Sequence, residues 1–166
     1  MMNKKVLSAL NDQVGFEYDS AYLYLSMTAW LHNEGWDGMA HWVRKQYSEE
    51  IVHAEKIFDY IVSRNGKISI ASLEKPKGSW NAPLDLFKEV LKHEEAVTAR
   101  IHALVKLSIE SADYATQSFL TWFVDEQVEE EAQATKVVSL LEKIGSSTGS
   151  LLMIDKQLGK RGVEKA

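Results

Sequence analysis

The feature that most constrains the fold of this 166-residue chain is a spacing of potential metal ligands that occurs twice. In each copy a glutamate is followed 33 residues later by a second polar residue and, three residues further on, by a third: Glu17, Glu50 and His53, then Glu94, Gln127 and Glu130. Residues three apart share one face of a helix, so each closely spaced pair can reach a single point. One ligand from one helix and a pair from the next, repeated, predict four long helices around two metal ions.

The distribution of proline and glycine supports long helices. Only two prolines occur, Pro76 and Pro83, and the proline-free stretches on either side favour uninterrupted helices. Asn65-Gly66 is a good helix stop, and Pro83 suits a first helical turn. We expect a single domain over residues 1–166, with helices over about 5–32, 37–64, 84–110, 113–144 and 148–158.

The lengths of the connections predict the topology. Helices one and two, and helices three and four, are joined by a few residues, so each pair should be antiparallel. Residues 65–82 form a long crossover, in which polar and apolar residues alternate over 67–73. We expect this segment to be extended and packed against other protein surface, which could belong to a second subunit. The expected fold is all-α: an antiparallel-paired four-helix bundle with one long crossover and a short fifth C-terminal helix.

Helical periodicity places Glu17, Glu50, Glu94 and Glu130 within apolar stripes, in positions that should face the core. A buried, unpaired carboxylate loses several kcal/mol of solvation, and four together also repel one another. Few basic residues fall on the same stripes, so two divalent cations would balance the charge, with His53 as a neutral nitrogen ligand. Carboxylates plus imidazole suit iron, manganese or zinc better than calcium or magnesium. Taken singly, a glutamate on a helix is almost always a solvated surface residue; the duplicated spacing on inward stripes favours the metal site.

Composition excludes several other classes of protein. A net charge of −5 argues against a general nucleic-acid binder. The absence of cysteine excludes disulfides, thiolate metal sites and cysteine nucleophiles. No apolar run is long enough to span a membrane, and the N-terminus lacks an apolar signal core. We therefore expect a cytoplasmic protein.

The chain resembles the bacterial non-haem ferritins along essentially its whole length. The matching segments are Phe16-Glu17-Tyr18, Tyr24, Gln46 to His53, His93-Glu94 and Trp122 to Glu131. The resemblance implies an iron-oxidising (ferroxidase) centre in which Glu17 and His53 hold one iron, Glu94 and Glu130 the other, and Glu50 bridges them. It implies that Gln127 is a weaker ligand or a hydrogen-bond donor beside the site.

The resemblance also implies a nearby third iron site on Glu49, Glu126, Glu129 and Glu130. An acidic inner surface without defined coordination is the alternative for the first three. In the family, Tyr24 is a redox-active or hydrogen-bonding neighbour of the site, and Trp122 is a candidate electron donor, although plain core packing explains both rings as well.

Departures from related families narrow the expectation. The haem-binding bacterioferritins have a second ExxH pair on the fourth helix and a haem-ligating methionine on the second. At the position of that ExxH pair this chain has Gln127 and Glu130, and at the position of the methionine it has Val52. No haem is therefore expected. The other histidines lack partners at ligand spacing and are interpreted as surface or interface residues: His32, His41, His93 and His102.

The resemblance implies an iron-storage protein that oxidises Fe(II) with oxygen or hydrogen peroxide and deposits a ferric oxide-hydroxide mineral inside a homo-oligomeric shell of twenty-four subunits. The fifth helix would line channels of that shell. Two alternatives remain open: a di-iron peroxidase or oxidoreductase without storage, and a non-catalytic bundle stabilised by metal.

Overall fold

The computed structural model describes residues 2–162, of which most are helical. Its elements are α1 (Lys4–Asn33), α2 (Asp37–Ser63), α3 (Pro83–Glu110), α4 (Tyr114–Ile144) and α5 (Thr148–Leu158). Each helix begins and ends within one residue of the position expected from the sequence. The described part of the chain contains no strand, which confirms the all-α expectation. None of the helices described combines the length and apolar character needed to cross a membrane.

Three of the helices are capped at their N-termini by side chains that immediately precede them in the sequence. The side chains of Asn3, Asp113 and Ser147 accept hydrogen bonds from backbone N–H groups in the first turns of α1, α4 and α5. Each satisfies a donor that the helix itself leaves unpaired. Pro83 occupies the first position of α3, where its missing N–H costs nothing.

The start of α2 is capped from a distance. Trp36, which precedes α2, makes no capping hydrogen bond with its side chain. Instead the backbone N–H of Met39 donates to Asp155 Oδ1 of α5 at 2.8 Å. A Cβ at Gly38 would lie 1.8 Å from the carbonyl oxygen of Asp155, so only glycine allows this approach. The short fifth helix is therefore fixed directly on the first turn of α2.

The crossover between α2 and α3 runs along α1. Its backbone is hydrogen-bonded in order to the side chains of Asn11, Asp19 and Ser26, which places α3 antiparallel to α1. Ile68 packs partly against the core, as the alternating pattern predicts. Ile70 and Leu73 remain 68% and 49% exposed in the single chain.

The core consists of two apolar clusters, one toward each end of the bundle. A polar layer of buried side chains lies between them, at the middle of the four long helices. This layer contains all six residues of the duplicated spacing, none more than 3% exposed: Glu17, Glu50, His53, Glu94, Gln127 and Glu130. The expectation that the glutamates face the core is therefore correct.

Candidate metal centre

The first half of the centre lies between α1 and α2. Glu17, Glu50 and His53 each place one potential ligand atom within 4.8 Å of the others, and all three are buried. Among residues 2–162 they form the only such group of three. The His53 ring is held edge-on by Trp122 and Phe123, with ring centroids 5.5 Å and 5.9 Å away. The arrangement offers two carboxylates and one imidazole to a cation.

Two oxygens in this half are left without partners. Glu17 Oε2 and Glu50 Oε2 are buried and have no hydrogen-bond donor within the described chain. His53 Nδ1 lies 3.3 Å from Glu50 Oε2, but without the geometry of a hydrogen bond. Buried polar atoms are nearly always paired, so two unpaired acceptors beside one imidazole indicate a place for a cation.

The second half of the centre lies between α3 and α4. Gln46 Nε2 donates to Glu130 Oε2 at 2.6 Å and approaches Glu94 Oε1 at 3.5 Å, so one amide serves both carboxylates. The Tyr24 hydroxyl also donates to Glu94 Oε1. Gln127 Nε2 donates to Glu94 Oε2 at 3.3 Å, and whether Gln127 is also a ligand stays a prediction.

Burial and like charge act together on these carboxyls. Burial, and secondarily the charge of Glu50, raises the pKa of Glu17 well above its ordinary value. Burial, and then the charge of Glu94, does the same to the pKa of Glu50. Burial and the charge of Glu130 raise the pKa of Glu94 to about 7. The metal-free centre therefore retains protons that a bound cation would replace.

The residues expected at a third site are less closely gathered. Arg161 binds the Glu49 carboxylate through both oxygens, at 3.2 Å and 2.9 Å. Glu126 is half-buried and Glu129 is exposed. These residues do not form a second ligand cluster within the described part of the chain. The third site stays a prediction.

The two aromatic candidates both touch the centre. Tyr24 is fully buried, and burial together with the Glu94 charge raises the pKa of its phenol well above the ordinary value. The Trp122 ring contacts His53 on one side, and Lys56 Nζ lies 4.2 Å from its centroid.

His93 is half-buried and packs against α1, and an interface position for it stays a prediction. Its ring stacks on Phe16 at 5.5 Å and meets the edge of Tyr24 at 5.6 Å, and its Nε2 lies 2.8 Å from Ser20 Oγ. Burial lowers the pKa of His93 to about 4, so the ring is neutral near pH 7. His93 thus supports the tyrosine that contacts Glu94.

Four residues around the centre were not anticipated. Gln13 and Gln46 are each 1% exposed and hydrogen-bonded to site glutamates, and Arg100 and Arg161 bind their amides. The glutamines carry a signal, because each lies one helical turn before a ligand glutamate and they are themselves 33 residues apart. Neither arginine shares that spacing.

Comparison with known proteins agrees with the geometry. Residues 7–144 match the family model for the ferritin-like domain. The chain is 38% identical to a bacterial non-heme ferritin of Staphylococcus aureus, with 97% of both chains covered. It is 40% identical to one of Bacteroides fragilis, over 97% of this chain and all of the relative.

Solved structures of ferritins superpose closely on the bundle. An open pore ferritin from the archaeon Archaeoglobus fulgidus has a TM-score of 0.96 and 42% identity, covering 98% of this chain and 100% of that one. A humanized archaeal ferritin has a TM-score of 0.97, again at 42% identity, covering 99% of this chain and 100% of that one. With its buried carboxylate layer and near-complete overlap with these relatives, the chain belongs to the ferritin family, among the bacterial non-haem ferritins.

Proposed function

We propose that this chain oxidises Fe(II) to Fe(III) within its own four-helix bundle and stores the product as a ferric mineral. The observation that carries this proposal is the pair of unpartnered oxygens, Glu17 Oε2 and Glu50 Oε2, beside the buried imidazole of His53. Iron is the substrate and the cargo. Family membership supports the choice of iron over the other metals that such ligands accept.

The two halves of the centre would hold two irons unequally. Glu17, Glu50 and His53 offer the first position. Glu94 and Glu130 offer the second, and Glu50 would bridge the two positions; the charges of Glu94 and Glu130, which both raise the pKa of Glu50, support this role. The second position lacks an imidazole and is surrounded by amide and phenol donors, so it should bind Fe(II) more weakly.

The chemistry balances with oxygen or hydrogen peroxide as the oxidant. Each Fe(II) gives up one electron; two electrons and two protons reduce oxygen to hydrogen peroxide, or hydrogen peroxide to water. Two Fe(III) ions then carry more positive charge than four carboxylates can neutralise. Iron-bound water loses protons as a result, and hydrolysed ferric iron is favoured to leave for the mineral. The neutral amide of Gln127, already hydrogen-bonded to Glu94, adds no charge that would retain Fe(III).

Storage needs a cavity that one bundle does not enclose, so we propose a homo-oligomeric shell of twenty-four subunits. Large apolar side chains exposed on the single chain support association. Ile70 on the crossover is 68% exposed, and Met153 on α5 is 74% exposed. Such residues are suited to burial between subunits.

The test is aerobic addition of Fe(II) to the native protein, to His53→Ala, and to His102→Ala as a control at an exposed position. We expect rapid Fe(III) formation and retained iron in the native protein and the control, and slow oxidation in His53→Ala. Iron retained per assembly is counted after gel filtration, and circular dichroism verifies folding. Oxidation no faster than in buffer would refute the proposal, and oxidation without retained iron would favour an oxidoreductase instead.

A further inference from the structure

Two arginines reach the metal centre through two buried glutamines in the same arrangement. On one side, Arg100 Nε donates to Gln13 Oε1 at 2.9 Å, and Gln13 Nε2 donates to Glu17 Oε1 at 2.8 Å. On the other side, Arg161 Nη1 donates to Gln46 Oε1 at 2.5 Å, and Gln46 Nε2 donates to Glu130 Oε2 at 2.6 Å. In both cases the hydrogen bonds connect an arginine to a glutamine, and that glutamine to a carboxylate of the centre.

Both guanidinium groups are themselves held in place. Arg100 lies 4.2 Å from the centroid of the Phe16 ring, and Arg161 lies 4.5 Å from that of Trp42. Arg161 also binds Glu49 through both carboxylate oxygens, and its side chain is only 9% exposed. Stacking on a ring and binding at several nitrogens restrict a guanidinium far more than a surface position would.

The arginine decides which end of the amide faces the carboxylate. A glutamine amide can accept through oxygen or donate through nitrogen, whereas arginine can only donate. With Oε1 occupied by arginine, the amide must turn Nε2 toward the glutamate. A reversed amide would bring two oxygens together and leave the guanidinium facing an NH2 group.

This orientation selects the oxygen that is left for metal. Gln13 occupies Glu17 Oε1, and the other oxygen of the same carboxylate, Oε2, is the unpartnered one. Gln46 likewise occupies Oε2 of Glu130. A hydrogen bond to one oxygen fixes the carboxylate rotation and the direction of its remaining lone pairs.

We propose that Arg100 and Arg161 are positioning residues, each of which sets one metal position through its glutamine. Arg100 acts through Gln13 on Glu17 and the first position. Arg161 acts through Gln46 on Glu130 and the second. The inference rests on the proposed function in taking these positions as those of the oxidised iron, but it concerns metal binding and can be tested without oxidation.

The test uses full-length protein and Zn(II), a divalent ion that cannot be oxidised, titrated by calorimetry. The step belonging to the first position is identified as the one lost in His53→Ala. Loss of a hydrogen-bond partner of a metal ligand typically weakens binding about 10- to 100-fold. We expect Arg100→Gln to weaken the first step about tenfold and Arg161→Gln to weaken the second, each sparing the other.

The matched control is Arg44→Gln. Arg44 lies 4.2 Å from the Tyr47 ring centroid in a similar stack, but makes no hydrogen bond to a glutamine among residues 2–162. We expect native Zn(II) binding in this variant. Arg161→Lys, which restores a donor to Gln46, should recover part of the second step.

A double variant separates positioning from general stability. If Arg161 acts through Gln46, adding Arg161→Gln to Gln46→Leu should cause no further loss at the second step. Fully additive losses, equal weakening of both steps by one arginine variant, or native affinities in both variants would overturn the inference. The predicted Zn(II) pattern without Fe(II) oxidation would instead refute the proposed function alone.

Discussion

The phenol of Tyr24 on α1 donates a hydrogen bond to the carboxylate of Glu94 on α3, across the middle of the bundle. This hydrogen bond lowers the pKa of Glu94 against the larger, opposite effect of burial. Tyr24 therefore helps to keep Glu94 ionised, and an ionised carboxylate is the form that binds metal.

Replacement of this tyrosine tests that role. We expect Tyr24→Phe to raise the pKa of Glu94 further above about 7 and to slow Fe(II) oxidation by roughly tenfold near neutral pH. Initial rates from stopped-flow absorbance measure the effect, and the deficit should shrink at higher pH. Tyr114→Phe, at a 71% exposed position, is the control. A Tyr24→Phe rate equal to the native rate would contradict the assignment.

The raised carboxyl pKa values predict an unusual pH dependence for the metal-free protein. Glu17, Glu50 and Glu94 have folded pKa values above the ordinary 4.5, that of Glu94 at about 7. The folded state therefore holds protons that the unfolded chain has released, and its stability falls as pH rises from about 4.5 through about 7.

Urea unfolding after treatment with chelator measures this loss. We expect a higher unfolding free energy at about pH 5 than at about pH 8, and a recovery at about pH 8 when Zn(II) is added. Glu94→Gln, which cannot ionise, should show a smaller decline. Stability that increases over this range without metal would exclude the three carboxyls as its main determinants.

A fifth carboxylate in the centre should trap the product. In Gln127→Glu, the new carboxylate would lie beside Glu94, whose Oε2 is 3.3 Å from the present Gln127 nitrogen. It would bind Fe(III) more tightly than the neutral amide does, because it adds a negative charge. We expect a normal first oxidation and slower oxidation on repeated Fe(II) additions, and unchanged repeat turnover would count against this role.

The tight approach of α5 to α2 predicts a mutational effect far from the ligands. In Gly38→Ala the new Cβ would lie 1.8 Å from the Asp155 carbonyl oxygen, so α5 must move. Overpacking of this kind costs about 1–3 kcal/mol in stability, which thermal unfolding measures. Because Arg161 follows α5, we also expect weaker binding at the second metal position.

A second glycine provides the matched comparison. A Cβ at Gly149 would meet nothing within 4 Å, so Gly149→Ala adds the same methyl group without a collision. We expect it to leave metal binding unchanged and to stabilise α5 slightly, since alanine favours helix over glycine. Equal effects of the two variants would show that the packing at Gly38 is unimportant.

Much of the fold and the ligand layer was predictable because local physics determines it. Long proline-free stretches and short connections favour paired helices, and the duplicated spacing places six polar residues in one layer. The packing of His93 was not predictable, because it depends on stacking against Phe16 of another helix, which no spacing within α3 reveals.

The arginines show a further limit of sequence reasoning. Few basic residues lie on the same helix faces as the buried glutamates. Among residues 2–162, no lysine or arginine donates a hydrogen bond directly to any of the six residues of the polar layer. Positive charge approaches through Gln13 and Gln46 instead. Arg161 reaches Gln46 from 115 residues away, and such a contact depends on how α5 docks.

The cap that α5 places on α2 has a consequence for the order in which the molecule is completed. The acceptor for the N–H of Met39 is Asp155, made 116 residues later, and Arg161 follows later still. During synthesis the N-terminal helices emerge first and can pair while α5 is absent. All six polar residues of the layer then precede the segment that finishes their surroundings. An unfinished chain would carry the ligands without Arg161 behind Gln46, so we expect full metal binding at the second position only after Arg161 has been made and α5 has docked.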